Sequence, residues 1–452
     1  MPERHPWLNL WRLAWPLVVA MFLQFSVGLT DAWIAGRFGA DVQGAVGFAG
    51  QVLFLFNVLG TAMGVGLVAV VSRAEGAGDA AAVDHVARQG LLFAVLLTVP
   101  LSVAGVLWRP TVGELAFLPV AVAERARALL PLYAASLAPQ AVLNTAAAVF
   151  RARGRTSLVL VTWGAAAALN LWWVFALAFG WGGLPALGPR GIAAATAASS
   201  AAGAAIAAAL VWRGFRVRRP PGALRPDAAL ARRLWSLSWP AGLLQVGWNL
   251  GSLALYAILG SLAHGAVAAT AALTNGLRIE ALLYLPAFAL NMVTAVVVGQ
   301  ALGAGDPAAA ERSGWRVAGA ATAVLSSLAL PGFLFSRELA GLLTPDPAVR
   351  EATHFYLRFN MVSQPFMALS ICLGGGLQGA GDTRGTMKIV LGCLWGLRIP
   401  LALTLARPWG MLGVWAAMVV SMVLQGVTMA ARFRRGAWKV GGFGAVGDGG
   451  RA

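Results

Sequence analysis

The sequence predicts an all-α membrane protein of about twelve transmembrane helices in two parallel six-helix lobes, and three observations carry that expectation. Hydrophobic residues make up 59% of the 452 and charged ones only 11%, with a mean hydropathy of +0.74; soluble domains run near half apolar and about a quarter charged. The apolar residues come in uncharged runs such as Leu13 to Thr30 and Leu158 to Gly180, long enough to cross a ~30 Å hydrocarbon layer at ~1.5 Å per residue. Short motifs also recur in the same order in both halves of the chain.

The opening MPERHPWLNLWRLAWPLVVAMF has basic residues before an apolar run that is too long for a signal h-region and lacks an A-x-A site. It is expected to stay as the first span, 13–35. Further spans are expected at 47–71, 89–108, 128–150, 158–180 and 191–212, then at 234–260, 267–298, 316–335, 354–377, 389–406 and 410–431. Pro16, Pro100, Pro131, Pro139, Pro240, Pro286, Pro331, Pro365 and Pro400 fall inside these spans, so bent helices are expected, with neighbours re-satisfying the freed carbonyls. Between spans six and seven, RGFRVRRPPGALRPDAALARR combines charge with a Pro-Pro pair and suits an exposed connector. The expected organisation is therefore lobe 1–212, cytoplasmic connector 213–233, lobe 234–431 and cytoplasmic tail 432–452.

Leu13, Trp15, Pro16, Gly36 and Ala45 recur 224 residues on as Leu237, Trp239, Pro240, Gly260 and Ala269. Gly76-Ala-Gly-Asp79 recurs as Gly303-Ala-Gly-Asp306, Gly154-x-Thr156 as Gly381-x-Thr383, and the pair Gly188 and Gly191 as Gly410 and Gly413. An even number of spans per copy inserts both copies with the same orientation, which predicts parallel repeats about an axis along the membrane normal. The Gly-Ala-Gly-Asp turns lack the Lys-Ser/Thr of a phosphate loop and are expected to open surface helices. Gly60 with Gly64, and Gly375 with Gly379, have the spacing of close helix packing.

The formal charge of +17 would suggest nucleic acid in a soluble protein. Here 23 of the 34 Lys and Arg fall in or beside the segments expected to be cytoplasmic and 8 in outer loops, leaving Arg278, Arg358 and Arg398 within spans. That bias is the positive-inside pattern, with both termini inside and the arginine-rich 213–233 connector facing anionic headgroups rather than nucleic acid. Cys372 and Cys393 lie in spans without a paired spacing, and the four histidines form no ligand set. No cofactor, metal site or catalytic constellation is expected, which argues against an enzyme.

Two acids fall inside spans, where ionisable groups are costly and point to function. Asp31 lies toward the outer end of span one, and the position 224 residues on is Leu255, so the second copy folds without this acid. The expected role is a proton or cation site, with an interfacial acid that snorkels to water or pairs with an arginine as the bland reading. Gln24, seven residues earlier, shares its helix side and is a candidate for the same cavity. Glu280 follows Arg278 by two residues, too far around a helix to pair simply with it, and is either a cavity residue or a structural ion pair. Asn170, early in span five, either lines a cavity or bridges helices.

The run Asp31-Ala-Trp-Ile-Ala-Gly36-Arg-Phe-Gly39, the paired Gly-Ala-Gly-Asp turns, Gly154-Arg-Thr156 with Gly379-Ala-Gly381-Asp-Thr383, and Leu184-Pro-Ala-Leu-Gly188-x-x-Gly191 resemble the multidrug and toxic compound extrusion (MATE) family over nearly the whole chain. The resemblance implies a V-shaped twelve-helix fold and export of amphipathic, often cationic small molecules in exchange for H⁺ or Na⁺. It is strongest with the DinF-like branch, and implies substrate or ion contacts for Gln24, Asp31 and Asn170. Where that branch commonly carries a second acid, four residues after the span-five Asn, this chain has Val174. A single carboxylate suits H⁺ better than Na⁺, which wants several oxygen ligands. The expected setting is a monomer in a bacterial inner membrane. The alternative within the same superfamily is a flippase for lipid-linked substrates, for which Arg278, Arg358 and Arg398 would supply cationic contacts.

Overall fold

The computed structural model describes residues 6–108, 111, 113–115, 118–214 and 225–439, and all regular structure among them is helical. The chain divides into two units, Met1–Ser238 and Trp239–Ala452. The first holds α1 (Pro6–Arg37), α2 (Ala40–Gly76), α3 (Ala80–Leu107), α4 (Val120–Ala135), α5 (Leu137–Ala152), α6 (Thr156–Phe179) and α7 (Pro189–Arg213). Then come α8 (Ala228–Gly260), α9 (Ala266–Gly303), α10 (Pro307–Leu334), the short α11 (Ser336–Leu343), α12 (Pro347–Gly379), α13 (Thr383–Leu391), a π-helical segment Gly392–Arg398, and α14 (Ile399–Arg435). Large apolar side chains such as Leu29, Trp33, Leu55, Trp172, Leu253 and Leu403 are exposed on the helices, the surface that lipid rather than water covers.

Each of the twelve expected spans has its helix, with two differences in detail. Span four is broken into α4 and α5 at Ser136. Pro139 has no N–H to give the Ala135 carbonyl, so the regular ladder stops one turn before it. Spans eleven and twelve are nearly continuous, parted only at Gly410, whose φ of 56° and ψ of −135° suit glycine alone. Helices α2 and α9 run 37 and 38 residues, longer than their apolar runs; their ends remain helical until a Gly-containing turn stops them at Gly78 and Gly305.

The repeat is written into the backbone. Gly78 and Gly305 have φ of +73° and +76°, and Gly154 and Gly381 +71° and +90°. Gly188 (58°, −134°) and Gly410 (56°, −135°) adopt the same unusual conformation. Asp79 caps α3 by accepting from Ala82 N at 2.9 Å, and Asp306 caps α10 from Ala309 N at 2.7 Å. A side chain at Gly191 would fall 2.5 Å from the Leu177 carbonyl, and one at Gly413 2.2 Å from that of Leu405. Matched positions therefore share one structural demand in each copy.

The connector's residues 215–224 and the tail's 440–452 lie outside the described residues. Where the chain is described again, Gln89 of α3 holds it by donating to the Arg225 carbonyl (2.8 Å) and accepting from Asp227 N (3.1 Å). Asp227 starts α8, accepting from Leu230 N and Ala229 N at 3.0 Å and meeting His85 at 3.2 Å. The first turns of α8 pack on α2, where a Cβ at Gly66 would fall 2.5 Å from Ser238 Oγ and 3.0 Å from the Leu234 carbonyl. The Leu230 N–H holds the Asp227 carboxyl below its usual range, burial opposing and His85 and Ala229 adding. A depressed acid stabilises the fold above the ordinary carboxylate range and loses that contribution as pH falls through its folded value. Asp227→Asn is expected to lower the melting temperature at neutral pH, with the difference from wild type closing below about pH 4; thermal denaturation against pH measures it.

Candidate functional site

Asp31 lies six residues before the end of α1 and is 9% exposed. Ile34 and Ala35, on the following turn of α1, and Ile192, one turn before Thr196 on α7, belong to a buried apolar cluster, so water does not solvate the carboxylate fully. One oxygen, Oδ2, lies 3.4 Å from Thr196 Oγ1 of α7, whose single proton is shared between this carboxylate and the Ile192 carbonyl at 3.1 Å. The other, Oδ1, is buried without a partner. Asn170 of α6 is 2% exposed and donates to Ser199 Oγ at 3.4 Å, and its own Oδ1 is likewise unpartnered. Ser199 in turn donates to the Thr196 carbonyl at 3.2 Å. Acid and amide thus meet α7 one turn apart, and two buried acceptor oxygens are left for a proton, a donor or a cation.

Gln24 is exposed and makes no hydrogen bond with Asp31 among the described residues. Val174 is fully buried in the apolar cluster, so no second acid stands at that position. Thr196 and Ser199 escaped the sequence reading; the hydroxyl run Thr196-Ala-Ala-Ser199-Ser200 in an alanine-rich span was the available signal.

In the second unit Glu280 of α9 is 4% exposed and accepts from the Tyr356 hydroxyl of α12 at 3.0 Å and the Tyr284 hydroxyl, one turn along α9, at 3.3 Å. Arg398, also 4% exposed, closes the π segment, donates Nε–H to Ser421 Oγ at 2.7 Å, and lies 5.5 Å over the Trp248 ring. Glu280 and Arg398 line one small cavity of about 50 Å³ with Asn360, Ser363 and Gln364, without a direct ion pair. Arg278 and Arg358 are exposed, the latter stacked 4.8 Å from the Phe333 ring. Of the three arginines in spans, Arg398 is the one placed in a cavity, and Glu280 does not pair with Arg278.

Repeated six-span units, each with a buried carboxylate held by hydroxyls from its own lobe, have the plan of a membrane transporter. The MatE family model matches residues 16–176 and 240–404, one stretch in each unit, and the chain belongs to that family. It is 25% identical over 438 residues to the probable multidrug resistance protein NorM of Thermotoga maritima, covering 95% of this chain and 92% of that one. It is 28% identical over 445 residues to the multidrug resistance protein PmpM of Pseudomonas aeruginosa, covering 94% and 90%. Among solved structures, an outward-facing conformation of a multidrug resistance MATE family transporter of the MOP superfamily matches with a TM-score of 0.86 at 20% identity over 97% of both chains.

Proposed function

We propose that this protein is a secondary antiporter that exports amphipathic, cationic small molecules by alternating access in exchange for H⁺, with Asp31 as the site where proton and substrate compete. The observation that carries this reading is the buried Asp31 carboxylate with one oxygen unpartnered and the other held by a single hydroxyl. Burying an ionised group with so few partners is costly, and a proton or a cationic ligand relieves that cost. Because each ligand relieves the same charge, each favours release of the other. Sodium would need several oxygens converging on one point; the Asn170 Oδ1 is free, but position 174 is valine and Asp31 remains the single carboxylate. The names of the NorM and PmpM relatives support drug-like substrates. A pyrophosphate-bearing flippase substrate finds less support, since Arg398 faces Glu280 across its cavity and the other two arginines are exposed.

Proteoliposomes given an H⁺ or a Na⁺ gradient separately, loaded with cationic dyes, test the reading. Dye export driven by ΔpH alone is expected, and export driven by Na⁺ alone at fixed pH would overturn the choice of ion. The positive-inside charge pattern supports a cytoplasmic position for both termini and the 213–233 connector in a bacterial inner membrane, and the proposed working unit is the monomer. Replacing the buried Cys372 and Cys393 and introducing Arg218→Cys tests the sidedness: an impermeant thiol reagent should fail to label intact cells, and efficient labelling from outside contradicts the topology.

A further inference from the structure

The second unit contains a buried guanidinium whose hydrogen bonds are mostly unused. Arg398 has five N–H donors, of which Nε serves Ser421; its two Nη groups have no acceptor among the described residues. The residue lies at the end of a π-helical segment, Gly392–Arg398, a distortion of the helix ladder that recurs at functional positions. The cavity it lines holds Glu280, whose carboxylate already receives two tyrosine hydroxyls. Gln364, 1% exposed, lines the same cavity with its Oε1 unpartnered.

We infer that Arg398 forms a site for one small monovalent anionic group, either free chloride or a carboxylate carried by the substrate, and that this group enters together with a proton on Glu280. The reasoning is one of charge balance. With Glu280 ionised, the carboxylate and the guanidinium compensate each other across the cavity, and an added anion would be in excess. With Glu280 protonated, Arg398 is left as an uncompensated buried cation, which is costly, and an anion restores neutrality while filling the vacant Nη donors. The charged and titratable groups facing Glu280 are Tyr284 on its own helix, Tyr356 on α12, and Arg398 on the π segment, with Cys393 beside Arg398. The residues that α8 and α14 contribute to the cavity, Trp248, Ser252, Leu255, Met418 and Met422, carry no charge. The cavity's ~50 Å³ suits an ion or a carboxylate head and not a drug-sized body, which needs several hundred Å³. The guanidinium repels Na⁺, which separates this site from a cation site.

Binding at Arg398 stands without the transport reading; the substrate-carboxylate source rests on it. The test is the chloride dependence of thermal stability of the purified full-length protein at pH 6 and pH 8, with each variant titrated beside wild type so that general salt effects cancel. Wild type should be stabilised by chloride, with apparent affinity weakening by up to about tenfold per pH unit as Glu280 ionises. Glu280→Gln should bind chloride with no such pH dependence. Arg398→Gln should lose at least about tenfold in affinity, as a lost hydrogen bond to a charged group requires, and Arg398→Lys should recover part of it. Asp31→Asn, in the other unit, should bind chloride as wild type does, even where it cannot transport. A zwitterionic carboxylate dye that competes with chloride, while its methyl ester does not, identifies the substrate as the source; chloride binding unaffected by either identifies the free ion. No chloride response at either pH together with no stabilisation by the carboxylate dye itself, an unchanged response in Arg398→Gln, or wild-type pH dependence in Glu280→Gln would overturn the site. If Arg398→Gln does not fold, the Arg398→Lys titration and the Glu280→Gln pH profile decide it.

Discussion

Asp31→Asn is expected to reduce gradient-driven export to background while leaving the protein folded and inserted. The amide has the size of the acid and still accepts from Thr196, so the packing of Ile34, Ala35 and Ile192 around it is undisturbed. It also relieves the burial of a poorly partnered charge, so the melting temperature should hold or rise slightly. What the amide cannot do is exchange a proton for a cationic substrate. Dye efflux from proteoliposomes under ΔpH, run beside a thermal melt, separates loss of coupling from loss of fold. Thr196→Val should act in the same direction and more weakly, because it removes the one hydroxyl that positions the carboxylate.

The largest effect on stability is expected at Gly379. A Cβ there would sit 2.1 Å from the Ala295 carbonyl of α9, and one at Gly375 2.4 Å from that of Asn291. These are backbone atoms, so α9 and α12 would have to move apart, and overpacking of this kind costs about 1–3 kcal/mol per site. Gly379→Ala should therefore lower the melting temperature by several degrees, and Gly375→Ala with it should do so further. The separation would also pull Tyr356 on α12 from Glu280 on α9. Gly60→Ala is the control: its Cβ would meet Ala141 at 3.9 Å, ordinary contact, and a near-neutral melt is expected.

Gly60-x-x-x-Gly64 and Gly375-x-x-x-Gly379 look alike in sequence, yet only the second brings two backbones together. Spacing states that a helix can be approached closely, and the partner decides whether it is. The spans were legible because uncharged runs of that length have no other use, and the repeat because its glycines meet backbone demands that other residues cannot. The break at Ser136 was available in Pro139 but needed the ladder to be followed residue by residue. Gln24 shows the limit of helical periodicity: seven residues return to the same side of α1 but rise ~10 Å along it, too far to share a hydrogen bond with Asp31. The hydroxyls of Thr196, Ser199 and Tyr356 were not legible as partners, since they come from other helices whose rotation the sequence does not fix; Tyr284, four residues after Glu280 on one helix, was available from periodicity alone. The same holds for Arg398, indistinguishable in sequence from the exposed Arg278 and Arg358.

Competition between proton and substrate at Asp31 is tested most directly by counting protons released when a cationic substrate binds the purified protein. Calorimetric titrations in buffers of differing ionisation enthalpy give that count. Near the pH at which half of Asp31 is protonated, wild type should release a fraction of a proton that rises toward about one as pH falls, and Asp31→Asn should release none. Equal release from the two proteins, or substrate binding that displaces Na⁺ and no proton, would contradict the assignment of Asp31 as the coupling site.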